Sequence, residues 1–130
     1  MSIAWFVDGY AVLVALLAGS FINLAADRLP RGESLLWPRS HCRDCGRQLN
    51  AIDLLPVMGY LIRVGRCATC RTPIGPSAPL VEAVAGACML APIVVFGLWP
   101  GAAVGIGLVA AWGLLVTTRA ALRFVGGEAS

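Results

Sequence analysis

Long apolar runs flank one polar insert, and this pattern predicts helices that cross a membrane. The first apolar run occupies residues 1–26, through Tyr10-Ala-Val-Leu-Val-Ala-Leu-Leu-Ala and then Phe21-Ile-Asn-Leu-Ala-Ala. A second covers 80–99 and a third 102–118. Each is close to the ~20 apolar residues that cross a ~30 Å hydrocarbon layer at ~1.5 Å per residue. Trp99-Pro100-Gly101 separates the last two runs: Pro-Gly breaks a helix, and the Trp suits a membrane interface. The polar insert occupies 27–79, and a short polar tail 119–130 closes the sequence. The predicted fold is an all-α membrane protein, three transmembrane helices with a small zinc-ribbon-like loop between helices 1 and 2.

Composition agrees. The 130 residues are 58% hydrophobic and only 13% charged, against about 25% charged in an ordinary soluble domain. That length allows one small head and a few spans. The net charge of +3 matters less than its placement. Every basic residue is Arg; eight lie between Arg28 and Arg71, and the others are Arg119 and Arg123. The N-terminal flank and the Trp99 turn carry none. The positive-inside rule therefore puts the loop and the tail in the cytoplasm and the N-terminus outside. Ser2 to Asp8 lacks the basic residues of a signal peptide, so the first run reads as a retained span. Arginines beside spans read as topology signals and anionic-lipid contacts rather than a nucleic-acid surface.

The polar insert holds Cys42-Arg-Asp-Cys45 and Cys67-Ala-Thr-Cys70. Two C-x2-C pairs present four thiolates tetrahedrally to zinc, and a reducing compartment favours metal over disulfides. A redox dithiol and structural disulfides are the lesser alternatives. Gly46 supplies the permissive backbone for the first turn, whereas Arg71 occupies the matching place after the second pair. Four thiolates close the coordination sphere, so the site reads as structural, supplying folding energy to a loop too small to bury much core. His41 reads as a solvated neighbour and Cys88 as a small buried hydrophobe.

Further polar positions stand out. Asn23, inside the first run, reads as a substrate or helix-partner contact, or as packing with Gly19 and Ser20 on one face. Asp27 and Arg28 fall at the interface. Glu33 lies in a solvated turn or lines a pocket. Asp53 precedes an apolar stretch as a helix N-cap. Glu82 suits the start of the second span.

The runs Gly19-Ser20-Phe21-Ile22-Asn23, Arg28-Leu29-Pro30-Arg31-Gly32-Glu33-Ser34 and Pro38-Arg39-Ser40-His41-Cys42 resemble the N-terminal region of bacterial type IV prepilin peptidases. So do Asp53-Leu-Leu-Pro56, Gly65-Arg66-Cys67, Pro73-Ile74 and Pro79-Leu-Val-Glu82. The resemblance covers roughly residues 18–83. It implies an inner-membrane protein of type IV pilus or type II secretion systems. Members of that family cleave the leader from prepilins and pseudopilins, and many N-methylate the new terminus with S-adenosylmethionine. It also implies a four-cysteine zinc site in the cytoplasmic loop, on Cys42, Cys45, Cys67 and Cys70, and keeps a functional role open for Glu82; Asn23, Arg28, Glu33, Asp53 and Glu82 are the candidate substrate or helix-partner contacts.

The departure matters equally. The family's two catalytic aspartates and its Gly-x-Gly-Asp motif lie on later spans; here the third run ends and continues as Leu115-Val-Thr-Thr-Arg-Ala-Ala-Leu-Arg-Phe, with no acid before Glu128. The expectation is no peptidase activity from this chain alone. It would act as a stand-alone module on prepilin substrates beside a separate aspartic peptidase half, with methyl transfer resting on the resemblance only. The alternatives are a zinc-stapled membrane adaptor or assembly factor, and a truncated fragment of a full peptidase.

Overall fold

The computed structural model describes residues 2–128; Met1 and the last two tail positions, 129–130, lie outside the described residues. Helix α1 (Ile3–Arg28) runs into a single 3-10 turn, Leu29–Arg31. A head of irregular chain follows, with one short helix, α2 (Met58–Ile62). Then come α3 (Ser77–Phe96) and α4 (Leu98–Glu128). Among the described residues there is no strand, only isolated bridges at His41–Gln48 and Arg66–Pro73. The protein is all-α, with three helices long and apolar enough to cross a membrane.

The ends follow local chemistry. Arg28 occupies the last turn of α1, where a cation meets the negative helix end. Gly32, at φ +67°, stops the 3-10 turn in the left-handed conformation that glycine adopts at no steric cost. The break between α3 and α4 falls at Gly97 (φ +84°), not at the predicted Trp99-Pro100-Gly101 turn. Pro100 instead sits in the first turn of α4, where a missing N–H loses no helical bond. The helices also overrun the predicted spans: α3 begins three residues before Leu80, and α4 continues through the tail as far as Glu128. Helix length is set by backbone hydrogen bonds, span length by hydropathy, and the two need not coincide.

The three long helices pack together, and small residues let them approach. A Cβ on Gly19 would lie 2.7 Å from the Glu82 Cα, and one on Gly86 would lie 2.7 Å from the Leu16 side chain, so α1 and α3 cross nearly backbone to backbone. A Cβ on Gly101 would lie 2.5 Å from the Ile93 Cα, and one on Gly105 would lie 3.1 Å from the Met89 Cα, closing α3 on α4. This is how helices associate in lipid, where burying apolar surface gains little and close contact must be won by packing. Ala15, Met89 and Ile93 form the centre, with Ala11, Val12, Leu98 and Val109 against them. The Trp112 indole N–H donates to the Val81 carbonyl at 3.2 Å, tying α4 to α3.

Large apolar side chains stay on the outside. Ile3, Trp5, Phe6 and Tyr10 on α1 and Val94, Val95, Phe96 and Trp99 around the Gly97 break are all exposed. A continuous apolar exterior of this kind matches a lipid-facing surface.

Gly19→Ala should force the α1–α3 crossing apart and cost about 1–3 kcal/mol, read as a lower melting temperature in detergent. Gly107 meets nothing within 4 Å, so Gly107→Ala should leave the melting temperature unchanged or slightly higher.

Candidate metal centre

The four cysteines converge because two equivalent turns face each other. In the first, Cys42 N–H donates to the Arg47 carbonyl (2.9 Å) and Gly46 N–H to the Cys42 carbonyl (2.9 Å). Twenty-five residues later the same pattern recurs: Cys67 N–H to the Thr72 carbonyl (3.0 Å) and Arg71 N–H to the Cys67 carbonyl (3.2 Å). The flanking bonds repeat too, Leu49 N–H to Ser40 and Ile74 N–H to Gly65. Gly46 takes φ +72° in the first turn, and Arg71 takes φ +59° at the matching place in the second. The second knuckle thus forms without the glycine that would signal it, and carries the strain of a left-handed arginine.

All four Sγ atoms lie within 4.8 Å of one another. Cys42 Sγ is 3.7 Å from Cys70 Sγ, and Cys45 Sγ is 3.8 Å from Cys67 Sγ. A tetrahedron of sulfurs at ~2.3 Å from a central ion has edges of ~3.8 Å. A disulfide needs ~2.05 Å, and all five cysteines are free. The donor set fits a four-coordinate metal ion. The sulfurs are too close to ionise independently. Backbone N–H groups of Thr69 and Cys70 hold the Cys67 thiol down to about 6. For Cys70, the lowering by the Thr72 N–H is outweighed by burial and by the neighbouring sulfurs of Cys67, Cys45 and Cys42, which push it up to about 12. A bound cation removes that conflict. His41 stays outside the cluster, exposed, with Nδ1 2.9 Å from the Arg39 carbonyl.

Asp53 is the polar hub of the head. It is not the N-cap of α2, a position held by Val57. Instead its backbone N–H donates to the Asn50 side chain (3.0 Å), and its carboxylate accepts the Asn50 N–H (3.0 Å). The same carboxylate, 6% exposed, accepts Arg47 at 2.9 Å and Arg63 at 2.6 Å. It therefore joins the first knuckle to the chain entering the second. Burial alone would raise the Asp53 carboxyl, but the Asn50 N–H and the Arg63 and Arg47 guanidiniums outweigh it and hold it below its ordinary range.

Glu82, 6% exposed at the start of α3, accepts the N–H of Val57. Val57 has φ 59°, unusual for a β-branched residue, and this contact pins the strained turn to the bundle. On the α1 side, Arg43 of the first knuckle bonds Asp27 and lies 3.4 Å from Glu33, while Asp27 also meets Arg31 at 3.4 Å. Glu33 is thus a half-exposed partner of Arg43. Between the knuckles and α3 lies a cavity of ≈ 380 Å³ bordered by Cys42, Cys67, Arg47, Asp53, Tyr60 and Glu82. Asn23 is half-buried one turn beyond Gly19, with no side-chain hydrogen bond among the described residues, and borders none of this. Arg28 also does not border this cavity; it is buried at the foot of α1 with Nη1 2.8 Å from the Ser34 carbonyl. The clamp arginines Arg47 and Arg63 carry no sequence signal of their own, since nothing in their spacing announces a common carboxylate.

Arg71→Gly should relieve the left-handed strain and raise stability by up to about 1 kcal/mol, whereas Gly46→Val should lower it by about 1–2 kcal/mol, both read by chelator-driven unfolding. Because the folded Asp53 carboxyl lies below its ordinary 3.8, its contribution is present above about pH 4 and is lost as the pH falls through the folded value. Asp53→Asn should cost about 2–3 kcal/mol at neutral pH and flatten the acid limb of the stability profile.

The profile of the bacterial peptidase A24 N-terminal domain matches residues 13–96. The chain is 34% identical over 127 residues to the prepilin leader peptidase/N-methyltransferase of Burkholderia pseudomallei (strain K96243), covering 78% of this chain and 41% of that protein. It is 34% identical over 88 residues to the Myxococcus xanthus (strain DK1622) protein of the same name (68% and 26%). The Bacillus subtilis (strain 168) protein is 33% identical over 86 residues (66% and 35%). The chain spans about two fifths or less of the length of these relatives, and no solved structure matches it. With its four-cysteine head set between apolar helices and most of its length matched, the chain belongs to the bacterial peptidase A24 N-terminal domain family.

Proposed function

We propose that this chain is the zinc-stapled, membrane-anchored head of a prepilin-processing system and does not itself cut the leader. The observation that carries this reading is the engagement of four of the acids in and beside the head. Asp53 is clamped by two guanidiniums, Asp27 and Glu33 face Arg43, and Glu82 holds a backbone amide. An aspartic dyad needs two carboxyls that face each other and share one proton; each of these four meets a cation or an amide instead. Leader cleavage then draws its carboxylates from outside these 130 residues, on the same polypeptide or on a separate aspartic peptidase half.

The ion proposed for the cluster is zinc, which four thiolates suit and whose closed coordination gives it a folding rather than a catalytic role. The head and the end of α4 are proposed to face the cytoplasm, with the start of α1 outside. The supporting observation is that α4 returns to touch the 3-10 turn after α1, so all ten arginines gather toward one end of the bundle. The relatives are named as N-methyltransferases as well as peptidases. In this reading S-adenosylmethionine is the candidate methyl donor. The ≈ 380 Å³ cavity beside the cysteines is its candidate location, being within the ~300–1,000 Å³ of small-molecule sites.

Purified protein should hold one zinc per chain, and Cys42→Ser should lose both the metal and the folded head; a metal-free protein with intact structure would overturn the zinc assignment. Incubated alone with a prepilin, the chain should release no leader, and cleavage would refute the proposed division of labour. Labelled S-adenosylmethionine and a leader-free pilin peptide test the methyl-transfer part: label on the peptide supports it, and no label with or without a peptidase half removes it.

A further inference from the structure

Arg28 lies at the foot of α1, 5% exposed, yet no carboxylate lies within ion-pair distance among the described residues. Among the described residues the one hydrogen bond its guanidinium donates runs to a neutral carbonyl, that of Ser34. A buried guanidinium without a counter-charge is costly. The nearby acids are engaged elsewhere: Asp27 and Glu33 by Arg43, Asp53 by Arg47 and Arg63. Arg28 borders a cavity of ≈ 180 Å³, separate from the one beside the metal. The other polar walls of this cavity are Arg39 and Ser40, and no acid lines it. Arg39 makes no ion pair among the described residues either. Two guanidiniums and a hydroxyl around an acid-free hollow are a recognition set for a phosphate.

The remaining walls say which phosphate. Leu24, Leu35, Leu36 and Leu54 line the same hollow. Leu36 is 87% exposed, and its neighbour Trp37 is 69% exposed. The hollow lies at the C-terminal end of α1, an apolar helix long enough to cross a membrane. We infer that this hollow binds the phosphate of an anionic glycerophospholipid, with Arg28 and Arg39 as its counter-ions and the Leu36–Trp37 edge against the acyl region. The lipid supplies the negative charge that the protein withholds from Arg28, and it seats the head at a fixed height on the bilayer. The inference needs only that the helices span a membrane, and is independent of what the head processes.

The test uses the full chain, metal-loaded, in neutral detergent, with native mass spectrometry counting retained lipid. Phosphatidylglycerol should be held in preference to phosphatidylcholine, with one tight molecule per chain. Arg39→Gln, at an exposed position, should weaken that molecule about fivefold, and Arg28→Gln more. Arg119→Gln, outside the hollow, should leave it unchanged. Where Arg28→Gln fails to fold, Arg39→Gln combined with Ser40→Ala decides. Equal retention of the two lipids, or equal losses from Arg39→Gln and Arg119→Gln, would overturn the site. Displacement of the lipid by excess inorganic phosphate, with the same gain in thermal stability, would overturn the lipid assignment in favour of a soluble anion.

Discussion

The head has almost no apolar interior, so its shape depends on four sulfur atoms that must meet. Among the described residues, Cys67 is the one buried hydrophobic residue of the core that lies in the head. A segment of this size cannot bury enough surface to offset the entropy of ordering its chain. What replaces a core is the convergence of two knuckles within 4.8 Å, an arrangement that a shared cation would stabilise as thiolates. The matching hydrogen bonds of the two knuckles, and the left-handed residue each requires, are consequences of aiming four sulfurs at one point.

Around that point, charge takes over the work that apolar contact does elsewhere. Asp53 ties the first knuckle to the approach of the second, Arg43 ties the first knuckle to the foot of α1, and Glu82 ties the middle of the head to α3. The head is therefore fastened to both helices that bracket it. The bundle below relies on the opposite device, small residues that bring backbones into contact where lipid competes for every apolar side chain. The two halves meet at the Gly19–Glu82 crossing, where the close approach of α1 and α3 also positions the carboxylate that reaches up into the head.

Asp27, Glu33 and Asp53 neutralise arginines and Glu82 caps an amide, and four protein thiols are placed to close the coordination sphere of a metal ion. In the relatives this region is a minority of the length. The apolar surface of the helices and the hollow beside the metal are what such a part can offer to lipid, partner or substrate.

The apolar runs were readable as helices because hydropathy over some twenty residues is a local property of the chain. The two C-x2-C pairs were readable as one metal site because thiolate spacing within each pair already imposes the turn. Gly19 with its neighbours foretold close helix contact for the same reason. Other features were settled only by the folded chain. Asp53, an apparent helix cap, became a two-arginine clamp because Arg47 and Arg63 approach it from opposite sides, which ten residues of irregular chain do not announce. Arg71 in the left-handed position, the helix break at Gly97 instead of Pro100-Gly101, and the burial of Arg28 away from any acid likewise depend on which surfaces meet. Sequence fixes what each residue prefers near its neighbours in the chain; the partner of a charge, and the cost of a strained backbone, are decided by contacts between segments far apart in it.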